Sequence, residues 1–156
     1  MNTGSRIVFL NGDYLPIQDA KVSVLDRGFL FGDGVYEVIP VYGERIFRFA
    51  EHLSRLRDSL SAIDISNPHT DGEWEAICHG VLEKNTGPGD KSLYIQVTRG
   101  AGEREHLYNS ELVPTVLVMC KSSAAPRYEN GVSAITQADI RWQHCHIKAI
   151  TLLPNV

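Results

Sequence analysis

Five side chains in this 156-residue sequence are of types that could together handle a carbonyl and an anion. Lys148 stands between Ile147 and Ala149-Ile150. An amine among apolar neighbours loses hydration, which disfavours its charged form, and a neutral amine can attack a carbonyl to form a Schiff base. Taken alone, such a lysine is more often one whose stem packs while its head reaches water. Arg104-x-His106 places a guanidinium and an imidazole on one side of an extended segment. The pair could hold a carboxylate, because arginine offers a bidentate fork and the imidazole a further donor; the alternative is a solvated polar loop. Arg55 taken alone reads as a surface helix residue before a phosphate ligand, and Tyr36 as a core or edge aromatic. His144-x-His146 with Cys145 suggests metal ligands, yet no second pair lies at the distance a four-coordinate zinc site requires.

The elements that must position these residues are legible in the hydrophobic pattern. Arg6 to Leu10 reads as a strand, and Asn11-Gly12 is a type I′ hairpin signal leading into Asp13 to Pro16. Gly28, Gly32 and Gly34, interleaved with aromatics, read as a glycine-rich turn, and Val35 to Tyr42 as a second strand closing a hairpin onto Ile46-Phe47. Phe49, Leu53, Leu56, Leu60 and Ile63 recur at helical spacing, with His52, Arg55 and Ser59 on another side of the same helix. Thr70-x-x-Glu73 is a capping box for a second helix carrying Trp74, Ile77, Cys78, Val81 and Leu82. Leu93, Ile95 and Val97 alternate as a half-buried strand, and Thr115 to Cys120 forms another. The order predicts an α+β domain, an antiparallel sheet covered by two helices.

The composition narrows the function classes. A net charge of −4 gives no basic footprint for nucleic acid, and no apolar run approaches membrane-spanning length. Three widely spaced cysteines and no secretory leader fit a reducing, cytoplasmic setting. Ser122 to Pro126 reads as a linker after a small domain over residues 1–121. Residues 127–156 are too few for a domain of their own and read as the opening of a larger one, so the chain is expected to be truncated.

Read in order, Gly28-Phe29-Leu30-Phe31-Gly32-Asp33-Gly34-Val35-Tyr36-Glu37, Glu51-His52-Leu53-Ser54-Arg55-Leu56, Gln96-Val97-Thr98-Arg99-Gly100, Asp139-Ile140-Arg141-Trp142 and Ile147-Lys148 form a consistent series. It closely resembles that of the fold-type IV pyridoxal-phosphate aminotransferases, and within them the D-amino acid branch, over Ile7 to Val156. The resemblance implies that Lys148 binds pyridoxal 5′-phosphate as a Schiff base and shuttles the substrate proton. It implies that Arg55 binds the cofactor phosphate and that Tyr36 lines the substrate pocket. Arg104 and His106 match the pair that traps the substrate carboxylate across a homodimer interface, a feature that weighs against the branched-chain L-amino acid aminotransferases and aminodeoxychorismate lyases of the same fold. The expected reaction passes an amino group between a D-amino acid such as D-alanine and a 2-oxo acid such as 2-oxoglutarate. The acid that partners the pyridine nitrogen lies beyond position 156 in the family, so this form is expected to be inactive or nearly so. A non-catalytic dimerisation module that keeps the small domain is the reading from outside enzymology.

Overall fold

The computed structural model describes residues 6–123, 131–136, 138–139 and 143–153. The elements run β1 (Ile7–Leu10), β2 (Asp13–Pro16), α1 (Arg27–Phe31), β3 (Gly34–Tyr42), β4 (Arg45–Ile46), α2 (Phe49–Ala62), α3 (Asp71–Lys84), β5 (Lys91–Thr98) and β6 (Thr115–Ser122). The strands form one sheet in the order β2-β1-β6-β5-β3-β4, every neighbouring pair antiparallel. Asn11 and Gly12 both adopt positive φ, 50° and 106°, as a type I′ turn demands.

One face of the sheet packs against α2 and α3. Val35, Ile39 and Val41 of β3, Leu93, Ile95 and Val97 of β5, and Val116, Val118 and Cys120 of β6 alternate toward the helices. They meet Leu53, Leu56 and Leu60 of α2 and Trp74, Ile77, Cys78 and Val81 of α3, the stripes that the helical spacing marks out. The capping box forms: the Glu73 carboxylate accepts the Thr70 N–H at 2.7 Å while the Thr70 hydroxyl accepts the Glu73 N–H. The other face carries half-buried Tyr36 and Tyr94 and an exposed Val38.

The glycine-rich stretch read as a turn contains a short helix, α1. Asp26 caps it by accepting the Gly28 N–H at 2.8 Å, and Gly32, at φ 67°, ends it in the left-handed conformation that glycine adopts without cost. Gly34 is needed for close approach: a Cβ there would fall 2.6 Å from the Val97 carbonyl oxygen of the paired strand.

The segment carrying Lys148 joins the same sheet. The strand β4 pairs only with Val41 and Tyr42, which leaves the other end of that β3 edge open. Lys148 to Ile150 fills it, with the Tyr36 N–H donating to the Lys148 carbonyl at 3.0 Å and the Ile150 N–H donating to the Gly34 carbonyl at 3.1 Å. Ala149 stands opposite Val35 in an antiparallel bridge, and Ile147 is buried in the core. Most of the expected linker (residues 124–126) and the Ile140-Arg141-Trp142 motif lie outside the described residues, while Ser122 ends β6. Among the described residues, no helix is long and apolar enough to cross a membrane.

Candidate functional site

Lys148 is fixed by its backbone before its amine is considered. Its carbonyl accepts from Tyr36, and its N–H donates to the hydroxyl of the buried Ser59 at 3.2 Å. One partner lies on β3 and the other on α2. The side chain is half-buried, and its Nζ lies 3.8 Å from the centroid of the Tyr36 ring. A cation over an aromatic face is attracted by the ring quadrupole, so Tyr36 holds the amine at the sheet surface. Tyr36 is itself stacked on Tyr94, with ring centroids 5.7 Å apart and planes inclined by 30°. Burial and then the neighbouring Tyr36 push the Tyr94 hydroxyl above its ordinary pKa, and that hydroxyl donates to Gln96 at 2.7 Å.

The residue after Tyr36 points to the opposite face of the sheet. Glu37 is fully buried at an otherwise apolar inward position, and a buried carboxylate demands partners. It finds them on α2: Arg55 donates to its two oxygens through Nε and Nη2, both at 2.6 Å, and His52 Nδ1 lies 2.8 Å from Oε2. The hydrogen bonds that Arg55 donates to Glu37 raise the Arg55 pKa further above its ordinary value. Nε and Nη2 are taken, and among the described residues no hydrogen bond engages Nη1, on a side chain that is half exposed. Arg55 and Ser59 are one helical turn apart, so the guanidinium stands next to the residue that holds the Lys148 backbone. A guanidinium offers paired donors to a phosphate and a primary amine can bond an aldehyde, so Arg55 and Lys148 are each of a type that a phosphorylated aldehyde could use.

Arg104 and His106 lie apart from this edge. The segment that carries them is bent rather than extended, contrary to what their spacing predicts, and it wraps around Phe31 at the end of α1. The Arg104 guanidinium carbon is 5.3 Å from the Phe31 ring centroid and the His106 ring is 5.9 Å from it, so the two side chains do gather, around a shared aromatic. Among the described residues, no hydrogen bond, ion pair or ring contact joins either of them to Lys148 or Tyr36. Gly32, next to Phe31, lacks a Cβ and so leaves room for the methyl group of Thr151.

Beneath that loop lies a buried charge network that motif spacing does not indicate. Asp33 accepts from Arg27 Nε at 2.8 Å and from Arg99 Nε and Nη2 at 2.8 and 3.0 Å. Burial alone would raise the Asp33 pKa, but the hydrogen bonds from Arg99 and Arg27 outweigh it and hold the carboxyl below its ordinary value. Arg99 also donates to the carbonyls of Asp64 and Ile63 at 2.9 and 2.6 Å, tying the network to the residues just after α2. The sequence does carry a signal for it: an arginine directly after the apolar strand β5 and an aspartate between two glycines are both costly to bury unless they meet.

The family described as Amino-transferase class IV matches residues 34–156. The D-alanine aminotransferase of Staphylococcus aureus strain N315 is 39% identical over 155 residues, covering 96% of this chain and 54% of its own length. The D-alanine aminotransferase of Bacillus licheniformis is 40% identical over 151 residues, covering 96% and 53%. Among solved structures, the branched-chain aminotransferase of the thermophilic archaeon Thermoproteus uzoniensis superposes with a TM-score of 0.71 at 24% identity, covering 78% of this chain and 42% of its own, a likeness of fold. The chain thus spans about half the length of the curated relatives it matches.

Proposed function

This chain belongs to the class IV aminotransferase family, and from that premise we propose that the whole protein transfers an amino group between a D-amino acid such as D-alanine and a 2-oxo acid such as 2-oxoglutarate, with pyridoxal 5′-phosphate as cofactor. The observation that carries the reading is the Lys148 amine held 3.8 Å over Tyr36, while the next strand residue, the buried Glu37, fixes the Arg55 guanidinium. The D-alanine aminotransferases at 39% and 40% identity favour a D-amino acid over the branched-chain L-amino acids.

In this reading Lys148 Nζ is both the covalent attachment point and, once free, the base that takes a proton from the substrate α-carbon and returns it on the other side of the reaction. Tyr36 fixes where that amine stands and forms one wall of the substrate pocket. Arg55 binds the cofactor phosphate through the edge that Glu37 leaves free, and Glu37 with His52 fixes the plane of the guanidinium. Arg104 and His106 bind the substrate carboxylate, reaching a neighbouring active site in a homodimer. The cofactor supplies the electron sink that makes the α-proton removable. Residues 127–156 open a larger cofactor-binding domain, the protein works in the cytoplasm, and the 156-residue chain alone is inactive or nearly so.

The test is an assay of the whole protein with pyridoxal 5′-phosphate, D-alanine and 2-oxoglutarate, against L-leucine and aminodeoxychorismate as competing substrates. Turnover of D-alanine at a kcat/KM at least ~10-fold above that for L-leucine is expected. Preference for L-leucine or for aminodeoxychorismate overturns the substrate assignment. A K148A variant that keeps the parental rate overturns the enzyme reading altogether. Added to the 156-residue chain alone, the same substrates should give no turnover, and turnover there overturns the expectation of inactivity.

A further inference from the structure

We propose that Arg27 is a positioning residue for the Arg104-x-His106 pair and thereby governs affinity for the substrate carboxylate. The proposal rests on the reading that this pair binds the carboxylate, and goes beyond it in naming what holds the pair in place. The Arg27 side chain is almost fully buried, and each part of its guanidinium has a separate task. Its Nε pairs with Asp33 at 2.8 Å, its Nη1 donates to the Glu105 carbonyl at 2.7 Å, and its Nη2 lies 3.4 Å from the His106 carbonyl. Two successive carbonyls of the loop are therefore held by one planar group. The same guanidinium lies 4.6 Å from the centroid of Phe31, one turn further along α1, and Phe31 is the ring that Arg104 and His106 flank.

The anchor is itself braced. Asp33 is gripped by Arg99, which reaches back to the Ile63 and Asp64 carbonyls, and the Arg99 guanidinium lies 3.7 Å from the ring of Tyr108. The loop is thus tied at residues 105, 106 and 108 to a network rooted after α2. A substrate clamp needs its donors held to within a fraction of an ångström, and two exposed side chains on a bent loop have no such precision of their own. A lysine at position 27 keeps the charge but lacks the rigid fork, so it cannot serve Asp33 and both carbonyls at once.

The experiment uses the whole protein loaded with pyridoxal 5′-phosphate and compares the parent with R27K and F31L. Both variants are expected to raise KM for D-alanine about 10-fold or more while kcat stays within about 3-fold, the pattern of lost ground-state binding. The cofactor absorbance titration should not change, and amide exchange over residues 103–108 should quicken in R27K. If R27K keeps the parental KM, or loses kcat and cofactor affinity in parallel without a KM rise, the inference is overturned while the functional reading stands. If the parent turns over no D-alanine, the functional reading fails and the inference fails with it. Should R27K not fold, F31L decides, because it leaves the Asp33 pairs in place: an unchanged KM overturns the inference.

Discussion

The Lys148 amine lies 3.8 Å from the centre of the Tyr36 ring, and the Tyr36 N–H donates to the Lys148 carbonyl at 3.0 Å. Side chain and backbone of one residue are thus held by side chain and backbone of the other, across a strand edge that β4 leaves open. Losing the ring removes a contact that contributes about 0.5–2 kcal/mol when partly desolvated. Y36F should keep cofactor affinity of the whole protein within about 3-fold, whereas Y36A should weaken it by about 10-fold, since ~1.4 kcal/mol is tenfold. Absorbance titration with pyridoxal 5′-phosphate reads both, and equal affinities for the two variants would remove Tyr36 from the role of amine platform.

Glu37 is fully buried with a bidentate arginine at 2.6 Å, and taking away one partner of such a pair is more costly than never having had it. Arg55 is half exposed and can turn to water, which moderates the loss. E37Q should destabilise the fold by roughly 2–4 kcal/mol in denaturant titration. It should also weaken cofactor binding, because the guanidinium plane is no longer fixed. Destabilisation below about 1 kcal/mol would mean that the pair is not the anchor it resembles geometrically.

Acid should act on the fold through Asp33. Its folded pKa is below the ordinary carboxylate value despite burial, because Arg99 and Arg27 donate to it. A depressed carboxylate contributes stability that is fully present above the unfolded value of about 3.9 and is lost as pH falls through the folded value. D33N should therefore lower stability at neutral pH and flatten the fall in stability below about pH 4. Parallel acid limbs for parent and D33N, measured by thermal melts from neutral pH downward, would contradict this assignment.

The three cysteines should separate by reactivity. Burial pushes the Cys78 thiol up to about 12 and raises that of Cys120, whereas Cys145 is exposed. Only the thiolate is nucleophilic, so at pH 8 Cys78 is ionised about once in 10,000 molecules. Iodoacetamide should modify Cys145 first in the native protein and the other two only after unfolding. Early modification of Cys78 would show that α3 opens far more readily than its packing implies.

Much of this arrangement is readable from the chain, and the parts that are not share a cause. The stripes of α2 and α3, the Thr70 capping box and the alternation along β5 are local patterns, and each forms as the spacing indicates. The short helix α1 escapes because five residues including a glycine carry no periodicity, and its cap is recognisable only once Asp26 is seen to face Gly28. The Arg27–Asp33–Arg99 network escapes because Asp33 and Arg99 are 66 residues apart and no local rule pairs them. Glu37 lies within reach of the alternation rule: between Val35 and Ile39 it must point inward, and His52 and Arg55 share one side of the facing helix. The spacing of Arg104 and His106 marks them as neighbours, but the bend that gathers them depends on Phe31 and Arg27 rather than on that spacing.

The proposed function stands on Lys148 as the residue that carries the cofactor. Loading the whole protein with one equivalent of pyridoxal 5′-phosphate, reducing it with borohydride and mapping the phosphopyridoxyl group by peptide mass spectrometry tests it most directly. A single, near-stoichiometric modification on Lys148 is expected, absent in K148A and discharged by D-alanine added before reduction. Stable modification of a different lysine in the parent, or none at all, would contradict it.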